Sequence, residues 1–267
     1  MTLKPVSDLY GRHRGSDIYV VGTGPSLRVF PMALLEDKVT IGLNRAWKSF
    51  TPHYAITIHP ELNIPEFMDG ETPRPSITWV TKHDKLGAAA PELIAHAEEH
   101  FHFFRTDGPA TTITHGLSDA GRVPAWAEAA TGDFLYLWGS IATSGVNLAA
   151  NLGARNIILV GCDNAALFGS HHAHAQHTRW LGSDPDSRYA DYYEALAEVR
   201  AALRRRGVNV VSLTPFLTLG PHEHDFTRLC DELGQPPAVA PLADISPRPP
   251  ALSARVKGRI TRALRRP

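Results

Sequence analysis

Short apolar runs rich in β-branched residues recur along the chain, each followed by a turn of Gly, Asn or Pro and then by a longer stretch with helical spacing. That is the rhythm of repeated strand–helix–strand units. The runs predict strands at Ile18–Val21, Val39–Leu43, Tyr54–Ile58, Ile77–Val80, His102–Phe104, Phe134–Leu137, Ile157–Val160 and Val208–Leu213. Several are apolar at consecutive rather than alternate positions, so both faces of the sheet are expected to be covered, as in a parallel sheet. Helical spacing predicts helices at Pro91–His100, Ser144–Leu152 and Asp191–Arg206, with a short one at Asp225–Leu233. Gly153 and Gly207 follow two of these, where a helix end favours a left-handed residue. The expected fold class is α/β: a Rossmann-like, open, mostly parallel sheet with helices on both faces.

Two segments carry no regular pattern, Thr106–Asp133 and Cys162–Asp186. Irregular stretches of that length in a compact domain are usually functional or disordered, and the second holds four histidines. Residues 1–234 read as one domain. A Pro-rich linker follows at 235–251, and then a tail at 252–267 in which Leu252, Val256, Ile260 and Leu264 share one face of a short amphipathic helix.

Composition adjusts this picture in a few places. The 267 residues are 43% hydrophobic and 20% charged, with 27 basic against 27 acidic side chains, which speaks against a disordered polyelectrolyte and against nucleic acid as a partner. The balance conceals a strongly basic end: Arg248, Arg255, Lys257, Arg259, Arg262, Arg265 and Arg266 face no acidic residue in the last stretch. Two cysteines, Cys162 and Cys230, give no disulfide framework and fit a reducing compartment. There is no apolar segment of signal-peptide or membrane-spanning length, so the expected location is cytoplasmic, with the basic tail able to meet an anionic inner membrane face.

Candidate chemistry begins at Gly22-Thr23-Gly24-Pro25-Ser26, a glycine-rich turn after the first long strand, which can bring backbone N–H groups to an anion and lead into a helix N-terminus. As a dinucleotide fingerprint it lacks the third glycine, Leu27 standing there, and the second strand ends in neutral Asn44 rather than an acid. No Lys follows the glycines as a P-loop requires. The turn therefore reads either as an anion cradle or as a plain tight turn. Other strand ends are polar too: Asn44, His59-Pro60-Glu61, Gly139-Ser140 and Gly161-Cys162-Asp163. In an open α/β sheet ligands bind outside the carboxyl ends of the strands, so these sets are expected to share one crevice. Thr143 and Ser144, at a helix start before Gly145, can cap the helix or donate to a phosphate.

Gly169-Ser170-His171-His172-Ala173-His174-Ala175-Gln176-His177 places four histidines in seven residues. Imidazole titrates near neutrality, so His171, His174 and His177 are candidates for general acid/base work or phosphate binding; metal ligation and a solvated polar loop are the other readings. The spacing matches no zinc motif. Asp184-Pro185-Asp186 offers a D-x-D by residue type alone, and Tyr189, Tyr192 and Tyr193 lie where aromatics pack a helix on a sheet or hold a phosphate.

The order GTGPSL, GLNRAW, SIATSGVNLAANLGARNIILVGCD, a histidine loop, a long helix and GVNVVSL resembles the bacterial sialyltransferases of glycosyltransferase family 42. It is similar also to their relatives, the motility accessory factors and the archaeal 6-hydroxymethylpterin diphosphokinase. The resemblance spans about residues 16–215. It implies that Gly22, Gly24 and Ser26 line the nucleotide phosphate and ribose, with Thr23 among the donor-binding candidates, that Asn44 and His59 contact nucleotide or donor sugar, and that Thr143, Ser144 and Gly145 lie beside the donor. Gly169-Ser170-His171 after Gly161-Cys162-Asp163 is similar to the accessory-factor and pterin-kinase signature. Thr23 stands where the sialyltransferases carry Asn, and their general-base His falls by ungapped match near Ser187.

Three functions follow as expectations. The first is a glycosyltransferase taking a nucleotide-activated sugar, a CMP-nonulosonate among them, to a glycan or glycolipid acceptor, with no cofactor required and a histidine of 171–177 as base. The second is a pyrophosphokinase acting on a pterin-like alcohol, with Mg²⁺ held by Asp163 and by Asp184 or Asp186. The third is a non-catalytic nucleotide-binding module.

Overall fold

The computed structural model describes residues 4–63, 77–82, 101–106, 132–137, 140–163, 170–174 and 185–213. The helices expected at Pro91–His100 and Asp225–Leu233, residues His177 and Asp184, the linker and the basic tail lie outside the described residues.

Eight strands form one sheet: β1 (Lys4–Pro5), β2 (Asp17–Val21), β3 (Val39–Leu43), β4 (Tyr54–Thr57), β5 (Thr78–Lys82), β6 (Phe101–Phe104), β7 (Asn156–Val160) and β8 (Asn209–Ser212). Their order across the sheet is β1-β6-β5-β4-β3-β2-β7-β8, and every neighbouring pair is parallel. Alternate side chains of a strand face opposite sides, and here both sides are dry. Ile18, Val20, Ile41, Leu43, Ile56, Ile157 and Leu159 pack on one face beneath helices α1 (Ile141–Leu152) and α2 (Pro185–Arg205). On the other face Val21, Ile158 and Val160 lie under Leu27, Phe30, Leu35 and Ala46. Leu27, Leu35 and Ala46 come from three 3₁₀ segments, Pro25–Arg28, Met32–Leu35 and Asn44–Lys48, and Phe30 from the turn between the first two.

Helix α1 is built for close packing. Ser140 caps it by accepting the Ala142 N–H at 3.2 Å, and Gly153 ends it at φ 100°. A Cβ added at Gly145 would lie 2.7 Å from Leu43 Cδ2 and 3.1 Å from Val20 Cγ1, so this glycine sets how near the helix sits to β2 and β3. Among the described residues no helix is long and apolar enough to cross a membrane.

Most expected strands form, within a residue or two of their predicted ends. Four expectations need correction. Phe134–Leu137 forms no strand, only the bridge of Phe134 to Arg105. Its Leu135 and Tyr136 are 1% exposed, so the apolar run reflects core packing, and the Tyr136 backbone is satisfied by the side chains of Asn147 and Ser144. The glycine turn leads into a four-residue 3₁₀ segment rather than an α-helix, because Pro31 follows closely. The cap of α1 is Ser140, one turn earlier than Thr143 or Ser144. Finally, α2 starts at Pro185, where proline is at home in a first helical turn.

Sheet order locates the crevice. From β2 the chain runs outward through β3, β4, β5 and β6, then returns to place β7 on the other side of β2. The carboxyl ends of β2 and β7 therefore flank the point where the strand order reverses, the usual ligand crevice of an open α/β sheet.

Candidate functional site

At that reversal the two loops are bonded to each other. The Gly22 N–H donates to Val160 O at 2.7 Å and the Gly24 N–H to Gly161 O at 2.7 Å, extending the β2–β7 pairing past both strands. A side chain at Gly22 would collide with the Gly161 carbonyl, and a Cβ at Gly24 would stand 2.5 Å from Asp163 Oδ2. Gly161 itself has φ 62° with Leu27 against it. The glycines thus permit two backbones to touch. Asp163 closes the arrangement: Oδ2 accepts the Ser26 N–H at 2.7 Å and Oδ1 accepts the Ser26 hydroxyl. Both residues are 1% exposed, and a buried carboxylate persists only when such donors replace water.

A second chain segment, Ser170–His174, is strapped across the glycine turn. Ala173 N–H donates to Thr23 O at 2.8 Å, and His172 Nδ1 lies 3.2 Å from the Thr23 hydroxyl. Arg28 holds the strap from below, its Nε donating to Ala173 O at 3.1 Å and its Nη2 to His172 O at 3.2 Å. His174 Nε2 meets the Ser49 hydroxyl at 2.8 Å. Burial pushes His172 down to about 4; His171 and Arg45 add to this, while the Thr23 contact opposes it. Burial, then Lys48 and Arg28, lower His174 as well. Both imidazoles are therefore neutral near pH 7, in surroundings made positive by Arg28, Arg45 and Lys48. His171 is half-buried beside them.

The third part lies at the ends of β3 and β4. Asn44 takes φ 48°, a left-handed conformation that Asn tolerates better than most residues. Its Oδ1 accepts the Thr57 hydroxyl at 3.1 Å, while Thr57 Oγ1 accepts the His59 N–H at 3.0 Å and Asn63 Nδ2 at 2.7 Å. Asn63 Nδ2 also reaches His59 O at 3.1 Å. His59 Nδ1 lies 3.2 Å from Glu61 Oε1, both side chains being partly open to solvent. Thr57 is fully buried and Asn63 nearly so, which makes this network a rigid mount for His59.

Thr143 and Ser144 sit in the first turn of α1, with Gly145 just beyond it. The Thr143 hydroxyl donates to Ser140 O and the Ser144 hydroxyl to Tyr136 O, each at 2.7 Å. Both are buried and serve backbone carbonyls. The structure thus joins Gly22, Thr23, Gly24, Ser26, Asp163 and the 171–174 histidines at the β2/β7 crevice, and mounts Asn44 and His59 at the next strand ends along the same edge. Sequence reasoning did not single out Arg28, Ser49, Thr57 or Asn63. No local motif marks them, since each acts through a contact formed only on folding. Among the described residues no three His, Cys, Asp or Glu side chains converge as metal ligands would.

Fold and crevice define an open, parallel α/β protein with its polar strand ends gathered along one edge. No family model and no curated protein matches the chain. Among solved structures it is similar to the sialyltransferase CstII from Campylobacter jejuni in complex with the substrate analogue CMP-3FNeuAc, with 11% identity, a TM-score of 0.44, and 92% of this chain and 99% of that chain covered. A structure of CstII in complex with cytidine-5'-monophosphate overlaps over the same shares at 11% identity and a TM-score of 0.40. At that overlap the likeness assigns no residue a role.

Proposed function

We propose that this protein is a glycosyltransferase that uses a nucleotide-activated sugar, a CMP-linked nonulosonate being the donor class that the motif order favours. The observation that carries the reading is the seating of the 170–174 strap on the glycine turn, which sets neutral imidazoles among three cations at the sheet's reversal point. A donor phosphate placed there meets Arg28, Arg45 and Lys48, and these groups stabilise the charge that grows on it as the glycosidic bond breaks. On the opposite side of the sugar an imidazole takes the proton of the acceptor hydroxyl, giving inversion at the anomeric carbon. A glycan or glycolipid acceptor suits the basic tail, which would hold the enzyme at an anionic membrane face. Little favours the Mg²⁺-dependent pyrophosphokinase, because both oxygens of Asp163 are engaged by Ser26.

Thermal unfolding with CMP, CDP, UDP, GDP and ATP, each with Mg²⁺ and with EDTA, tests the reading. A nucleotide at 100 times its Kd adds about 2.7 kcal/mol, a shift of a few degrees. A cytidine nucleotide is expected to raise the midpoint equally in EDTA. An ATP shift that EDTA abolishes, or no shift with any nucleotide, overturns the proposal.

A further inference from the structure

Resting on that transferase reading, we infer that His59, oriented by Glu61, is the general base that accepts the proton of the acceptor hydroxyl. An ionised carboxylate can only accept hydrogen bonds, so the 3.2 Å contact of Glu61 Oε1 with His59 Nδ1 places the ring proton on Nδ1 and the lone pair on Nε2. This is how a carboxylate fixes the tautomer of a working imidazole in hydrolytic triads, and it faces the positive charge that the ring acquires. The histidine's backbone is held on both sides, by Thr57 at its N–H and by Asn63 at its carbonyl, and Asn44 anchors Thr57. A base needs such fixity to meet its proton in line.

Two further observations separate His59 from the strap histidines. His172 and His174 each spend a ring nitrogen on a hydroxyl, of Thr23 and Ser49, in surroundings that penalise the protonated ring. They suit recognition of an anion better than uptake of a proton. Position is the other: β4 lies two strands from β2, which at the usual spacing is about 10 Å. The in-line path from donor phosphorus through the bridging oxygen, the anomeric carbon and the acceptor oxygen to a base nitrogen is about 9 Å when contacts are at near-attack and hydrogen-bond distances. In the step, the acceptor oxygen bonds to the anomeric carbon, the bond from that carbon to the phosphate oxygen breaks with its electron pair going to the nucleotide, and the acceptor proton moves to His59 Nε2.

Two measurements test this. The first, ¹H–¹⁵N correlation of the imidazoles with His59→Gln for assignment, reads the tautomer without any substrate. Nδ1–H is expected, and Nε2–H overturns the dyad. The second follows nucleotide release from CMP-N-acetylneuraminate, UDP-glucose, UDP-N-acetylglucosamine and GDP-mannose with mixed oligosaccharide acceptors. His59→Gln is expected to lower kcat by roughly 10²–10⁴-fold. Donor KM should stay within about threefold, and the nucleotide-induced melting shift should persist. Glu61→Gln, whose amide can donate and so admits the wrong tautomer, is expected to lose at least about tenfold, with Glu61→Asp recovering part of it. A His59→Gln enzyme that keeps its kcat overturns the assignment and leaves the transferase standing. Wild-type protein that turns over none of these donors overturns both.

Discussion

At the amino ends of β2 and β7, Asp17 accepts from Arg155 Nη2 and Asn156 Nδ2, and Asn156 in turn accepts from Asn209, a ladder of side chains reaching the edge strand β8 in solvent. At the carboxyl ends of the same strands, Asp163 engages Ser26 at 1% exposure. The residue types are alike and their weight is not. In water the ladder exchanges solvent hydrogen bonds for internal ones at little gain, so it serves mainly to keep register. Out of water each bond at Asp163 offsets a desolvation cost, and losing a donor leaves that cost exposed.

The sharpest way to break this contrast is to crowd one glycine at each end. Gly22→Ala drives a methyl into the Gly161 carbonyl and should cost about 3 kcal/mol in urea unfolding while abolishing any nucleotide-induced stabilisation. Gly15, at φ 74° with nothing within 4 Å, carries only left-handed strain, so Gly15→Ala should cost about 1 kcal/mol. Equal losses would erase the distinction.

Acid comes next in size. Burial lowers His172 to about 4 on the carboxyl side; His102 in β6, lowered to about 4 by burial and then by Arg12 and Lys4 against Asp8, belongs to the opposite half. Their folded values lie below the ordinary 6.5, so the unfolded chain binds more protons between about 6.5 and about 4. Stability from both neutral rings is thus complete above that window and declines as pH falls through it, by at most about 1.4 kcal/mol per pH unit for each histidine. Urea midpoints from pH 7.5 to 4.5 should show this slope, and His102→Leu should reduce it; an unchanged slope would remove His102 from the account. The smallest effect belongs to the ladder. Asp17→Asn should alter stability by no more than about 0.5 kcal/mol, and a larger loss would show that exposure is a poor guide here.

How much could be read beforehand follows the same physics. Strands such as Ile157–Val160 were legible because a strand buried on both faces is a continuous apolar run, and few other elements are. Phe134–Leu137 carries the same signature without being a strand, since burial alone produces it. Strand β1 left no mark, being two residues that include a proline. The crevice was legible as polar residues at strand ends, yet Arg28 under the strap and Asn63 behind His59 were not. Their roles depend on neighbours 144 and 4 residues away that only the folded chain brings to hydrogen-bonding distance.

The pairing of β2 with β7 has a further consequence while the chain is being made. Asp17 and Asn156, bonded in the finished protein, are 139 residues apart. At about 5–20 residues per second, a ribosome needs on the order of ten seconds to supply the second partner. Throughout that interval β2 presents a bare apolar edge, so the nascent chain is the species most exposed to aggregation and most in need of a chaperone.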